Sequence, residues 1–266
     1  IGKYEIKSSE LYIINAHNGN IKEGIKAIDI KKDYPKIYQY FIQFKDKMKI
    51  RPSKGKHWTN TPANFSIEYS KPKIIWGELS DKAKFTFDDT GIYVEATVFL
   101  MTGENLKYIL SIFNSKLAQW YFEQIATSSG MGTNRWKKYK IEQFPIKDIK
   151  NVNPFEILVD YLLHLYNKEN PAILSHTDNT RIASHLEDIL NMMVYELYFE
   201  EHMKEVGIDV LQFVTPQLES LQNQAIESQI KSFYEWYQKP ENAVRQRLML
   251  IDTRSPDILA VIHKSV

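Results

Sequence analysis

The spacing of hydrophobic and polar positions changes character near residue 150. Before it, short apolar runs are bounded by turn residues. Leu11, Tyr12, Ile13 and Ile14 form one run, Pro72 to Trp76 a second, and residues 92–101 a third, with Asn18-Gly19 and Asp88 to Gly91 as turn signals. Such runs predict strands. Two helical patterns interrupt them. One covers residues 34–48, where Pro35 suits an opening turn. The other covers 104–125, with Leu106, Ile109, Leu110, Phe113, Leu117, Trp120 and Tyr121 on one stripe. After residue 150 the period is helical throughout and predicts helices over 155–166, 181–199, 217–237 and 242–251. Pro154, Pro216, Pro240 and Pro256 are placed as starts or stops. Residues 167–180, rich in Asn, Pro, Ser, Thr and Asp, predict a flexible connection. The expected fold class is α+β: a mixed α/β domain over residues 1–150, followed by an all-α helical region over 151–266.

Composition narrows the chemistry. The 266 residues contain no cysteine, which excludes disulfides, thiolate metal sites and thiol nucleophiles and fits a reducing, cytoplasmic setting. Charged residues at 25% and hydrophobic ones at 43% are globular values. No apolar stretch approaches the roughly 20 residues needed to cross a bilayer, and no signal peptide opens the chain, so no membrane partner is expected. The chain begins with Ile1 instead of Met, which suggests a piece of a longer protein. Net charge is only +1, but its distribution is uneven. Residues 1–150 hold 25 basic and 16 acidic side chains, against 9 and 17 in residues 151–266. A basic half with lysines among aromatics is what a polyanion binder requires; an acidic helical half would be repelled by phosphates and suits scaffolding.

A search for catalytic patterns finds no Walker loop, no GxGxxG, no HExxH and no GxSxG. The seven histidines include no pair spaced i, i+4 to grip a metal. Asn153-Pro154-Phe155 resembles the end of an amino-methyltransferase motif but lacks its second proline and any donor-binding loop, and reads as a helix start. Glu5-Ile6-Lys7 matches the tail of a nuclease pattern whose upstream carboxylate has almost no room to exist. Neither active site is expected in this chain, so it alone should be no enzyme. What remains is two basic segments. One carries Arg51, Lys54, Lys56, His57 and Trp58. The other carries Ser129, Gly130, Gly132, Thr133, Asn134, Arg135, Trp136, Lys137 and Lys138. Glycine and serine let backbone amides approach phosphates, arginine and lysine supply charge, and an asparagine such as Asn134 can read an adenine edge. These are the candidate DNA-binding residues; no catalytic or metal-binding residue is assigned.

The order of segments resembles a known family. Tyr34-Pro35 opens a helix, followed by Phe44-Lys45 through Arg51 and Trp58, then 71–76, 99–103, 108–117 with Asn114-Ser115-Lys116, 130–139, and 141–146. This succession, over roughly residues 4–150, is similar to the TaqI-like specificity domain, the target-recognition part of bacterial DNA adenine methyltransferases and of fused type II G restriction-modification enzymes. Residues 160–198 resemble the helical segment that follows such domains, and the likeness ends near residue 210. Asn114-Ser115-Lys116 is its most distinctive element, read here as fixing packing and a helix-to-loop geometry. The resemblance implies a sequence-specific module for double-stranded DNA. Its partners would be the methyltransferase and nuclease domains of a parent chain, and S-adenosylmethionine and Mg2+ would be bound there. The rival readings are a protein-protein or RNA interaction module, or a stand-alone hydrolase with an unrecognised site.

Overall fold

A computed structural model describes residues 1–7, 11–52, 54–61, 66–95, 97–125 and 134–264. The chain forms two compact units. The smaller comprises Ser8–Lys71 and Asp89–Tyr93; the larger comprises Ile1–Lys7, Pro72–Asp88 and Val94–Val266.

In the smaller unit, α1 (Ile30–Asp33) begins where the Asp29 carboxylate accepts the N–H groups of Lys31 and Lys32, each at 3.1 Å. Pro35 opens α2 (Pro35–Ile42), where its missing N–H costs nothing. The helix expected over 34–48 is two helices, because the chain leaves helical geometry at Phe44 (φ −107°, ψ 7°) before α3 (Lys45–Ile50). A further short helix, α4 (Ser66–Ser70), precedes the sheet. Ile37, Tyr38, Met48 and Trp58 pack around Ala16, Ile30 and Phe41. Leu11 to Ile14 form no strand, contrary to the sequence reading; all four are exposed. Four apolar residues in succession offer no polar face for solvent, and a strand persists only where a neighbour accepts its hydrogen bonds.

The larger unit is built on β1 (Lys73–Gly77), β2 (Leu79–Ser80), β3 (Phe85–Asp88) and β4 (Val98–Met101). The first, third and fourth form an antiparallel sheet in the order β3-β1-β4, so β1, with its buried Ile74, Ile75 and Trp76, is the centre. Of the strand expected over 92–101, the described strand is β4, Val98–Met101. The helix expected over 104–125 is also two helices, α5 (Leu106–Phe113) and α6 (Lys116–Ile125). The break is side-chain chemistry. Asn114 Oδ1 accepts the Phe85 N–H at 3.0 Å and its Nδ2 donates to the Phe85 carbonyl at 2.9 Å. Ser115 Oγ caps α6 by accepting the Ala118 N–H at 3.1 Å, and the Lys116 N–H donates to Asn191 Oδ1 at 2.8 Å. The trio thus ties a helix break to a strand on one side and a helix on the other.

β5 (Asn134–Arg135) pairs antiparallel with β2 and leads into α7 (Lys138–Ile141). The helical region follows: α8 (Asn153–Tyr166), α9 (Asn179–Glu205), α10 (Leu211–Leu221), α11 (Ile226–Gln238), α12 (Ala243–Met249), α13 (Ile251–Arg254) and α14 (Leu259–Lys264). The class is α+β followed by helices, as the periodicity indicates. Three details differ from the sequence reading. Pro216 lies inside α10, on its exposed side, where the Gln212 carbonyl that loses an N–H partner faces water. The helix read over 217–237 divides between α10 and α11. The connection over 167–180 is closed by Asn179, whose amide accepts the Ile173 N–H at 2.9 Å and donates to the Pro171 carbonyl at 3.0 Å.

Residue 150 is not a break in the core. The Tyr108 ring meets Phe155 edge-on at 5.4 Å, and its hydroxyl donates to the Lys147 carbonyl at 2.6 Å. Burial raises the Tyr108 phenol far above its ordinary value, so it stays protonated and keeps donating. Sheet and helices share one cluster of buried residues, from Ile74 and Phe85 to Leu162, Met193 and Phe233.

Candidate nucleic-acid interface

The first basic segment lies in the smaller unit. After α3 the chain turns at Arg51, whose Nη2 donates to the Asn60 carbonyl at 2.7 Å and the Trp58 carbonyl at 3.4 Å. Asn60, buried, donates through Nδ2 to the His17 carbonyl at 3.0 Å and the Ile28 carbonyl at 2.9 Å. The Gly55 N–H closes the loop on the Asn60 carbonyl at 2.6 Å. A Cβ at Gly55 would lie 2.5 Å from Asn18 Nδ2 and 2.7 Å from the Thr61 carbonyl, so only glycine fits. The loop is therefore bound to the body of the unit, and its outer side presents Lys54, Lys56 and His57 to solvent. Lys54 Nζ donates to the Lys49 carbonyl at the end of α3, at 3.0 Å. His57 Nδ1 is 2.7 Å from Thr59 Oγ1, which orients the ring.

Two of the sequence candidates in this segment turn inward. The Arg51 guanidinium is occupied by loop carbonyls, which makes it a positioning group. Trp58 is half-buried against Tyr38, ring centroids 5.8 Å apart. Asn60 is not legible as a site residue, because the partners of its Nδ2 are backbone carbonyls, which leave no spacing signature in a sequence.

The second segment lies in the larger unit. Ser129, Gly130, Gly132 and Thr133 fall outside the described residues, and of Asn134 the backbone pairing with Ser80 is established. Arg135 stands opposite Leu79 in that ladder. Trp136 is a correction: it is 3% exposed, its Nε1 donates to the Ser80 carbonyl at 3.1 Å, and its ring packs on Phe85 and Phe122. Strand alternation explains the pair. Trp136 points into the core, so its neighbour Arg135 points out, with a side chain 45% exposed. Arg135 Nη1 lies 3.5 Å from Glu78 Oε1, a surface pair that orients the guanidinium without sequestering it. Lys137 is half-buried at the start of α7. Lys138 is exposed, 3.6 Å from Glu142.

A polar cleft of about 490 Å³ lies beside Ser115 and Lys116. Burial lowers the Lys116 ammonium and raises the Asp188 carboxyl from their ordinary values. Ser115 Oγ, which donates to the Ile112 carbonyl at 2.6 Å and caps α6, has no free proton for an attacking role. Among the described residues no three His, Asp or Glu side chains converge to hold a metal, and no helix is long and apolar enough to cross a membrane.

In the larger unit a buried tryptophan holds a short strand so that an arginine faces outward; in the smaller unit a basic loop is tied down by its own carboxamide. Each is a scaffold for presenting side chains. Comparison with known families agrees. Residues 1–146 match the model of the TaqI-like C-terminal specificity domain. The chain belongs to this family. The specificity domain is a DNA sequence-recognition module of restriction-modification enzymes and works in association with catalytic domains of the parent protein.

Proposed function

We propose that this chain reads a short sequence in double-stranded DNA for a bacterial type II restriction-modification enzyme or adenine-specific DNA methyltransferase in the cytoplasm. The observation that carries the reading is the outward Arg135 set on a strand by the buried Trp136. Its planar guanidinium can donate two parallel hydrogen bonds to guanine O6 and N7 in the major groove, which a lysine ammonium cannot match. Exposed Lys56 and Lys54 on the other loop supply phosphate contacts. The methyltransferase domain of the parent extrudes the adenine in this reading, with S-adenosylmethionine and Mg2+ held by the parent's catalytic domains. DNA affinity belongs to residues 1–150, which hold the excess of basic side chains, and residues 151–266 support them.

The intact chain tests this, because a cut at residue 150 would divide the core. Binding to duplex DNA, single strands and RNA is compared at matched salt. The expected order is duplex first, with affinity falling steeply as salt rises. Equal or tighter binding to RNA, or no binding to any of the three, would overturn the reading.

Arg135 and Lys56 have separable roles. On the cognate site, obtained by selecting bound sequences from a random pool, Arg135→Ala is expected to cost about 1–3 kcal/mol and to relax preference at one base pair. Lys56→Ala weakens cognate and random duplexes alike and lowers the salt slope by about one unit. If Arg135→Ala lowers both affinities equally, the residue is a phosphate clamp.

A further inference from the structure

Among the described residues every ion pair lies in the larger unit. The smaller unit holds 12 Lys and Arg against 7 Asp and Glu. Two of its acids serve backbone caps: Asp29 accepts N–H groups at the start of α1, and Asp33 accepts the Asp29 N–H at 3.0 Å. Arg51 is occupied by loop carbonyls, but the lysines of α1, α2 and α3 are exposed without an acidic partner among the described residues, an arrangement that a polyanion relieves. One helix of this unit has an unusual composition. α2 contains no acidic residue; Ile37, Tyr38 and Phe41 turn inward, and Lys36, Gln39, Tyr40 and Gln43 are exposed. Steps of three and four residues place these four on one face. Tyr40 is 54% exposed and braced edge-on by Phe44 at 5.4 Å. Gln43 Nε2 donates to the Tyr40 carbonyl at 2.9 Å, whereas the Gln39 carboxamide has no partner among the described residues. Immediately after α2, Lys45, Lys47 and Lys49 on α3 are exposed and form no ion pair among the described residues.

We propose that α2 is a groove-reading helix: its outer row enters the major groove of duplex DNA, Gln39 reads an adenine, and the α3 lysines hold the flanking phosphates. The major groove admits an α-helix, and a glutamine carboxamide matches adenine N6 and N7 with one donor and one acceptor. Eight residues span about 12 Å, enough to cross the groove. The inference rests on the reading of the chain as a duplex-DNA module and adds a recognition element that the basic-segment search passes over, since glutamine and tyrosine carry no charge.

The test uses the intact chain and a pool of random duplexes. Wild type, Gln39→Ala, Gln39→Glu and a Lys45→Gln/Lys47→Gln/Lys49→Gln variant are each selected for bound sequences and titrated against the wild-type consensus and a random duplex. Gln39→Ala is expected to lower consensus affinity about tenfold to a hundredfold, to leave random-duplex affinity within about twofold, and to lose an adenine from the consensus. Gln39→Glu, an acceptor only, should move that position toward cytosine. The lysine variant should weaken both duplexes and lower the salt slope by about three units. An unchanged consensus for both Gln39 variants overturns this inference and leaves the DNA reading standing. Failure of wild type to bind any duplex overturns both. Because Gln39 is exposed, unaltered thermal unfolding of its variants is expected, and a lowered midpoint would assign the residue to folding instead.

Discussion

Asp88→Ala will lower the unfolding free energy by about 3–5 kcal/mol, the scale expected when one member of a buried ion pair is removed. Lys73 and Asp88 stand directly opposite each other on β1 and β3, both side chains wholly shielded from solvent, and the ammonium donates to the carboxylate. A charge in that position is tolerable because its partner is beside it; without the carboxylate, Lys73 keeps a desolvated ammonium at the buried start of the central strand. Urea titration should show the midpoint falling with the slope unchanged. The comparison that isolates the cause is Lys73→Met/Asp88→Leu, which removes both charges and fills the space. It should recover most of the loss. If the double variant is as unstable as Asp88→Ala, packing at the two positions outweighs the charge, and the argument from the ion pair fails.

What could be read in the sequence divides along a physical line. The helices from residue 153 onward were legible because burial of one face enforces a 3.6-residue period over many turns, and proline and asparagine mark their ends; Asn242, which accepts the N–H groups of Val244 and Arg245, is one such mark. The breaks at Phe44 and at Asn114-Ser115 were not legible, since apolar spacing continues across them; at Asn114 what interrupts the helix is a contact with a distant part of the chain. Leu11 to Ile14 read as a strand because apolarity alone was weighed, yet a strand also needs a hydrogen-bonded neighbour, and that is a tertiary fact. At the candidate site the charges were legible and their orientation was not. Trp136 read as an aromatic within a basic run, although the two-residue alternation of a strand entering α7 sends it into the core and Arg135 outward. Arg51 read as a contact because guanidinium groups often are. Its partners here are carbonyls, which every sequence supplies and none advertises.

Asn114→Ala should cost about 2–4 kcal/mol, chiefly because it leaves the buried Phe85 N–H without a partner. β3 is an edge of the sheet, and the side on which Phe85 faces away from β1 would expose its backbone groups to the core. The Asn114 carboxamide occupies that edge as another strand would, accepting from the N–H and donating to the carbonyl. The carbonyl keeps a second bond, from the Tyr4 N–H at 3.1 Å, so the orphaned donor dominates the loss. The effect extends toward β5, because the Phe85 ring packs edge-on to Trp136 at 5.8 Å and Trp136 sets the direction of Arg135. Asn114→Asp separates the two hydrogen bonds. A carboxylate still accepts from the N–H but faces the carbonyl with a second oxygen; once protonated it can donate there as asparagine does. Folding then favours the protonated acid and raises its pKa above the unfolded value, so the deficit against wild type is full at neutral pH and shrinks as pH falls through that raised value. Unfolding midpoints of wild type and Asn114→Asp measured side by side from pH 7 downward should converge. A constant gap would mean that the donor half of the carboxamide contributes nothing, and that Asn114 holds the helix break by its acceptor alone.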